Sequence, residues 1–199
     1  MHRLLHRLAV VLAMLALAAC AGIGANQRED DSFGIVTFNL YHDKADWPAR
    51  RLLVIDGLRA LQPDVIVLQE VLQDDGLRNQ AEDLAQVLGY SAYFISIDAP
   101  DRTRRYGNAI LTRHPVSARD WTPLRPLDDS RTAGMLRIGI GGRALDVFAT
   151  HLHHEDTPAG AGKRAEQLAD LMAFIDRTGG DAPRIVAGDF NIAAGRPEL

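Results

Sequence analysis

The stretch Arg184–Ile192, RIVAGDFNI, sets the terms on which the rest of the chain is read. Ile185 and Val186 are β-branched and suit a pleated, half-buried strand. That strand then runs into Gly188, Asp189, Phe190 and Asn191, an acid and an amide two positions apart. The same pattern occurs three more times. Asn39 follows IVTF, Glu70 follows VIVLQ and His151 follows VFAT. An apolar core does not explain polar residues at these places, whereas a site does, because strand ends deliver side chains from rigid backbone into one crevice. Each also has a structural reading: Asn39 satisfying a turn, Glu70 capping the next element, Asp189 making an Asx turn, His151 packing as a strand-end histidine.

Between these strand ends the chain alternates short apolar runs with helical patterns. FGIVTFNLY reads as a strand, followed by a helix over DWPARRLLVIDGLRALQ in which Asp46 suits the N-cap and Pro48 the first turn. DVIVLQEV (Asp64–Val71) is apolar on both faces, which predicts a central strand. A helix is expected from about Asp75 to Leu88, ended by Gly89. YSAYFISI, RYGNAILTRH, VSARDWTPL, AGMLRIGIG and RALDVFATHL are short β-rich runs separated by Gly, Pro and Asp turns, so antiparallel neighbours are expected. A further helix, about Ala161 to Thr178, leads into RIVAGDFNI. The pattern is mixed α/β, with helices outside a sheet core built from both ends of the chain.

Composition narrows the function classes. At 47% apolar and 24% charged the 199-residue chain is ordinary globular protein, which argues against disorder. Its formal net charge of −4 excludes a global basic field that would draw it onto nucleic acid or anionic lipid. A polyanion then needs a local site, most simply one with a divalent cation. Cys20 is the only cysteine, so neither an intrachain disulfide nor a cysteine pair for zinc is available.

The first 32 residues stand apart. MHRLLHRLAVVLAMLALAAC has a short basic start at Arg3 and Arg7, an apolar run from Leu8 and small residues before Cys20, the parts of a secretory signal. Leu17-Ala18-Ala19-Cys20 resembles the bacterial lipobox, which implies cleavage before Cys20 and lipid attachment to its sulfur. The expectation is a signal peptide over residues 1–19, lipidated Cys20 with a tether over residues 20–32, and one domain over residues 33–199. The alternative is an uncleaved anchor, since Leu8–Ala25 carries no formal charge. Either arrangement places the domain in the cell envelope, lipid-anchored or membrane-tethered and facing the periplasm or exterior, with no protein partner expected.

Carboxylate and amide oxygens at the strand ends suit Mg²⁺, Mn²⁺ or Ca²⁺, and Mg²⁺ commonly takes one or two protein carboxylates plus waters and substrate phosphate. The HLHH cluster offers His151, His153 and His154, but on a strand His151 and His153 share a face and His154 points away, which disfavours a three-histidine zinc site.

The order TFNLY, VIVLQEV, YGNAILTRHPV, FATHL, VAGDFN resembles the endonuclease/exonuclease/phosphatase superfamily, the DNase I-like phosphoesterases, from about Gly34 to Leu199. The resemblance implies an α/β fold, a DNase I-like four-layer sandwich of two packed mixed sheets flanked by helices. It implies divalent-metal-dependent hydrolysis of phosphodiester bonds, with nucleic acid or a lipid head group as substrate, inositol phosphates included. On the matching positions, Glu70 is the metal-binding acid and Asn39 its companion near metal and phosphate. His151 assists the leaving oxygen, Asp189 orients the attacking water, and Asn191 contacts the phosphate. Asn108 lies at the rim of the site, and Arg164 with Gln167 forms a structural pair. Arg102–Asn108, RTRRYGN, can bring positive charge beside the site. The family pattern continues beyond GDFN with a further acid and a closing Asp-His pair. The chain ends at GRPEL, so the expectation is a domain with its C-terminal part missing, whose alternative role is that of a non-catalytic envelope lipoprotein.

Overall fold

The computed structural model describes residues 32–196. The chain divides into two units, Met1–Phe33 and Gly34–Leu199, and the second carries all the elements below. The expected signal peptide and the lipid-bearing Cys20 lie outside the described residues. No helix among the described residues is long and apolar enough to cross a membrane.

The order of elements is β1 (Ile35–Asn39), α1 (Trp47–Leu61), β2 (Val65–Gln73), α2 (Gln80–Leu88), β3 (Ser91–Ile95), β4 (Arg105–Thr112), β5 (Val116–Pro123), a 3₁₀ turn (Leu127–Asp129), β6 (Thr132–Ile140), β7 (Arg143–His151), α3 (Pro158–Thr178) and β8 (Arg184–Asp189). They form two four-stranded sheets, β1-β2-β4-β3 and β5-β6-β7-β8. Each sheet is mixed: β1 with β2 and β7 with β8 are parallel, and the other pairs are antiparallel. In both parallel pairs a helix separates the two strands along the chain, α1 in the first and α3 in the second, while α2 joins β2 to β3, which are not neighbours in the sheet. A parallel partner needs such a crossover, whereas the short turns between the middle strands permit only antiparallel return.

The layers follow from which faces are apolar. On β2 both faces are buried, as the continuous apolar run predicts. Ile66, Leu68 and Val71 pack outward against Ile55 and Leu58 of α1 and Leu84 of α2. In the second sheet Met135 and Phe148 pack outward on Leu171, Phe174 and Ile175 of α3. The inner faces meet each other closely. A Cβ on Gly134 of β6 would lie 2.2 Å from Ile95 Cδ1 of β3, so the Ile95 side chain packs directly onto the glycine and would have to move for any larger residue. The order of layers is helix, sheet, sheet, helix.

Caps explain most helix limits. Asp46 Oδ1 accepts from Ala49 N at 3.3 Å, as expected, and Thr157 Oγ1 accepts from Gly160 N at 3.0 Å to start α3 earlier than its apolar pattern suggested. Helix α2 differs from expectation at its start. Asp74–Leu77 forms a tight turn with Gly76 at φ 68°, and Asn79 then caps Ala81 N and Glu82 N, so the helix begins at Gln80 and not at Asp75. Its end at Gly89, φ 77°, is as read.

Candidate active site

Three strands bring their C-terminal ends to one place. β1 ends on Asn39, β7 on His151 and β8 on Asp189, with His151 beside Asp189 in the parallel register. Glu70 reaches the same place by another device. The β2–β4 register shifts between Leu68 and Val71, so β2 carries one extra residue there, and Glu70 sits at φ 55°. Simple alternation would turn Glu70 toward the helices on the face of Ile66 and Leu68. The bulge gives that position to Val71 and frees Glu70. A non-glycine residue in the left-handed region costs about 1–2 kcal/mol, held here by the sheet on both sides.

The carboxylates of Glu70 and Asp189 meet on one nitrogen. Asn39 Nδ2 donates to Glu70 Oε1 and to Asp189 Oδ2, both at 3.1 Å. Asn39 Oδ1 in turn accepts from Tyr41 N at 2.9 Å, which fixes the amide's orientation. His151 Nε2 lies 3.8 Å from Asp189 Oδ2. Asp189 Oδ1 accepts from Asn191 N at 3.1 Å, so the Asx turn forms alongside the site. Asn191, at φ 52°, donates its amide to Leu152 O at 3.0 Å, locking the segment after β8 onto the end of β7. Gly188 is required by close packing of those strands: a Cβ there would lie 2.0 Å from Thr150 O.

Asn108 does not reach this surface. It is buried, and its amide donates to Thr132 Oγ1 at 3.1 Å, joining β4 to β6 beneath the site. The histidines of HLHH take different partners, although the His153 and His154 rings stay 5.3 Å apart. β7 ends at His151, and buried His153 turns away to hold Asp129 with Nδ1 at 2.9 Å. Gln167 accepts from His153 N at 2.8 Å and donates to Asp129 Oδ2 at 2.7 Å, while Arg164 donates to Glu155 O at 2.6 Å, the structural duties expected of that pair.

Three further residues belong to the site. His42 Nε2 lies 3.9 Å from Glu70 Oε2, and its ring meets Tyr106 edge to face. Tyr106 has its phenol pushed up to about 12 by burial and by the nearby Glu70 carboxylate, so it stays a hydrogen-bond donor. Arg131, just before β6, has its Nε buried without a hydrogen bond, 3.7 Å from Asp129 Oδ2. Burial, reinforced by the Arg131 charge, pulls the His151 imidazole down to about 4 against the pull of Asp189. His151 is therefore neutral at pH 7. Tyr106 could have been reached through the RTRRYGN stretch and His42 as the residue that follows TFNLY, but Arg131 lies outside every motif.

The donor set suits a hard cation. Glu70 Oε2 accepts no hydrogen bond among the described residues, and Asn39 holds the other carboxylate oxygen in place. Asn39 offers its own oxygen to Tyr41, so its hold on Glu70 is the contribution visible here. No three His, Cys, Asp or Glu side chains converge on a metal position among the described residues, so waters and substrate oxygens would complete the shell.

A two-sheet sandwich with helices on its outer faces and paired carboxylates at its strand ends has DNase I-like architecture. Residues 36–199 match the Endonuclease/Exonuclease/phosphatase family, and the chain belongs to it. Nocturnin of Drosophila melanogaster is 31% identical over 161 residues, 73% of this chain and 24% of that protein, so the chain spans about a quarter of that relative's length. The uncharacterized protein YbhP of Escherichia coli K12 is 25% identical over 182 residues, covering 83% of this chain and 69% of YbhP. The human Nocturnin catalytic domain with bound sulfate superposes with a TM-score of 0.69 at 23% identity, over 83% of this chain and 66% of that one. Zebrafish TDP2 complexed with single-strand DNA product gives 0.66 at 21%, over 81% and 61%. The expected four-layer fold is thus the one found.

Proposed function

We propose that the chain is a divalent-metal-dependent phosphodiester hydrolase of nuclease type, tethered at the cell envelope through Cys20. The observation that carries the catalytic part is the bridge from Asn39 to both Glu70 and Asp189. Residues from the first and the last strand thereby form one constellation. The tether rests on the lipobox-like sequence alone. Membership of a family of phosphoesterases agrees with the reaction class.

The residues divide the work. Glu70, oriented by Asn39, would hold Mg²⁺ or a similar ion, which supplies charge neutralisation on the phosphoryl oxygens and lowers the pKa of bound water. Asp189 is held by Asn39 on Oδ2 and by Asn191 N on Oδ1, and it orients a water and accepts its proton. His151 meets the substrate as a neutral imidazole, so it stabilises the developing charge on the leaving oxygen by an N–H donor. Tyr106 adds a second neutral donor. Arg131 adds a positive charge at the edge of the site.

The test is hydrolysis of bis(4-nitrophenyl) phosphate, DNA and RNA with Mg²⁺ by the chain and its Glu70→Ala variant. A loss of about 10²-fold or more is expected in the variant. Equal turnover by the two proteins overturns the assignment of Glu70.

A further inference from the structure

The β1–α1 connection brings a nitrogen donor to the free oxygen of Glu70. His42 Nε2 lies 3.9 Å from Glu70 Oε2, and neither atom makes a hydrogen bond among the described residues. On its other side the ring meets a second carboxylate, with His42 Nδ1 2.7 Å from Asp43 Oδ1. A carboxylate only accepts, so in the neutral imidazole the proton sits on Nδ1 and the Nε2 lone pair is turned toward Glu70. Two electron-rich atoms then face each other across a gap. A plain ion pair does not account for that gap, because a protonated ring would close to about 2.7–2.9 Å on the Glu70 carboxylate. A cation between them does. Donors bonded at about 2.1 Å to one ion lie about 3.4 Å apart at a tetrahedral angle, so the gap closes with about half an ångström of side-chain movement.

The place of His42 is held from several sides. Tyr41 and His42 sit at φ 53° and 34°, left-handed conformations that persist only where the surroundings fix them. Arg50 of α1 donates to Leu40 O at 2.7 Å, His42 O at 3.1 Å and Lys44 O at 2.6 Å. Buried Gln80, at the start of α2, donates to His42 O at 2.9 Å and accepts from Leu72 N at 2.9 Å. Leu72 lies two residues beyond Glu70, so one amide sets the spacing between this loop and the strand that carries the acid. The Tyr106 ring meets the imidazole edge to face, 6.1 Å between centroids. His42 and Glu70 keep 23% and 19% side-chain exposure, so an ion reaches both from solvent.

Resting on the reading of Glu70 as a metal-binding acid, we propose that His42 Nε2 is a second protein ligand of the same cation, oriented by Asp43. A ligating histidine commonly gives its other N–H to a carboxylate, which fixes the ring and strengthens the donor. Mg²⁺ and Ca²⁺ take oxygen ligands, whereas imidazole suits first-row transition ions. The site therefore prefers such an ion to Mg²⁺, with affinity rising from Mn²⁺ to Co²⁺.

The test is calorimetric titration of Mg²⁺, Mn²⁺ and Co²⁺ into the full chain and its His42→Ala, Asp43→Asn and Glu70→Gln variants, with nitrogen coupling to bound Mn²⁺ read by pulsed EPR. Co²⁺ is expected to bind the wild type about tenfold more tightly than Mg²⁺, or better. It should weaken about 10- to 100-fold in His42→Ala and about tenfold in Asp43→Asn, with Mg²⁺ affinity nearly unchanged in both. Nitrogen coupling should be present in the wild type and absent from His42→Ala. Equal Co²⁺ affinity in wild type and His42→Ala overturns the ligand, as does nitrogen coupling that survives the substitution. Glu70→Gln separates the two claims. Ion binding lost there and unchanged in His42→Ala removes His42 and leaves Glu70 standing, whereas binding unchanged in Glu70→Gln removes the shared site altogether. Circular dichroism of each ion-free variant confirms that it is folded.

Discussion

Glu70 and Asp189 share a single hydrogen-bond donor, Asn39 Nδ2, at 3.1 Å each. Two carboxylates brought this close repel one another unless something between them carries positive character, and the amide N–H₂ does so. Replacing Asn39 with Ala removes that bridge without touching either acid. Turnover should fall by about 10²-fold, the usual consequence of misplacing catalytic groups by an ångström. The check is kcat/KM on bis(4-nitrophenyl) phosphate, beside a urea titration showing that the fold survives.

Cation binding at Glu70 should appear as stability. A ligand that binds only the folded chain raises its unfolding free energy by about 2.7 kcal/mol at a concentration a hundred times its Kd. Mg²⁺ or Mn²⁺ should therefore raise the Tm of the wild type and leave that of Glu70→Gln flat. An equal rise in both proteins would place the ion elsewhere.

Burial of His151 makes a prediction about acid. Its imidazole titrates near 4 in the folded chain against an ordinary 6.5, so between those values the unfolded chain binds the extra proton. Stability therefore rises with pH across that window, is complete above it, and is lost as pH falls through it, by about 3 kcal/mol at most. The difference between wild type and His151→Gln in urea titrations from pH 4 to 7 isolates this contribution. Arg131→Ala should move the His151 titration upward, because the Arg131 charge helps to hold it down. The imidazole C–H resonance in an NMR titration reports that shift directly.

Gly188 allows β7 and β8 to lie as close as they do. A methyl group there meets the Thr150 carbonyl oxygen, which is backbone and cannot step aside. Gly188→Ala should cost about 1–3 kcal/mol of stability, the usual cost of overpacking. It should also lower turnover, since Asp189 is the next residue. Urea titration and kcat together check it.

The strand ends were legible because β-branched runs finish abruptly in polar residues, and Asn39, Glu70, His151 and Asp189 are indeed found together. The bulge that frees Glu70 leaves no trace in VIVLQEV, since an extra residue in a ladder is a property of the partner strand as much as of its own. Asn108 sits in the same strand as its motif implied, yet an inward direction buries it against Thr132, and no local pattern decides between the inner face and the rim. Arg131 and His42 come from turns whose three-dimensional path depends on the packing of both sheets. The early start read for α2 at Asp75 failed for a local reason, the turn around Gly76, which outweighs the helix-favouring acids before it.

Because Asn39 and Glu70 belong to one sheet and His151 and Asp189 to the other, the constellation exists only while the two sheets keep their seating. A slide of about an ångström between them would open the Asn39–Asp189 bond with every strand still intact. Catalytic output is in this sense a gauge of alignment between two halves of the molecule, and it should fade under denaturant before either half melts.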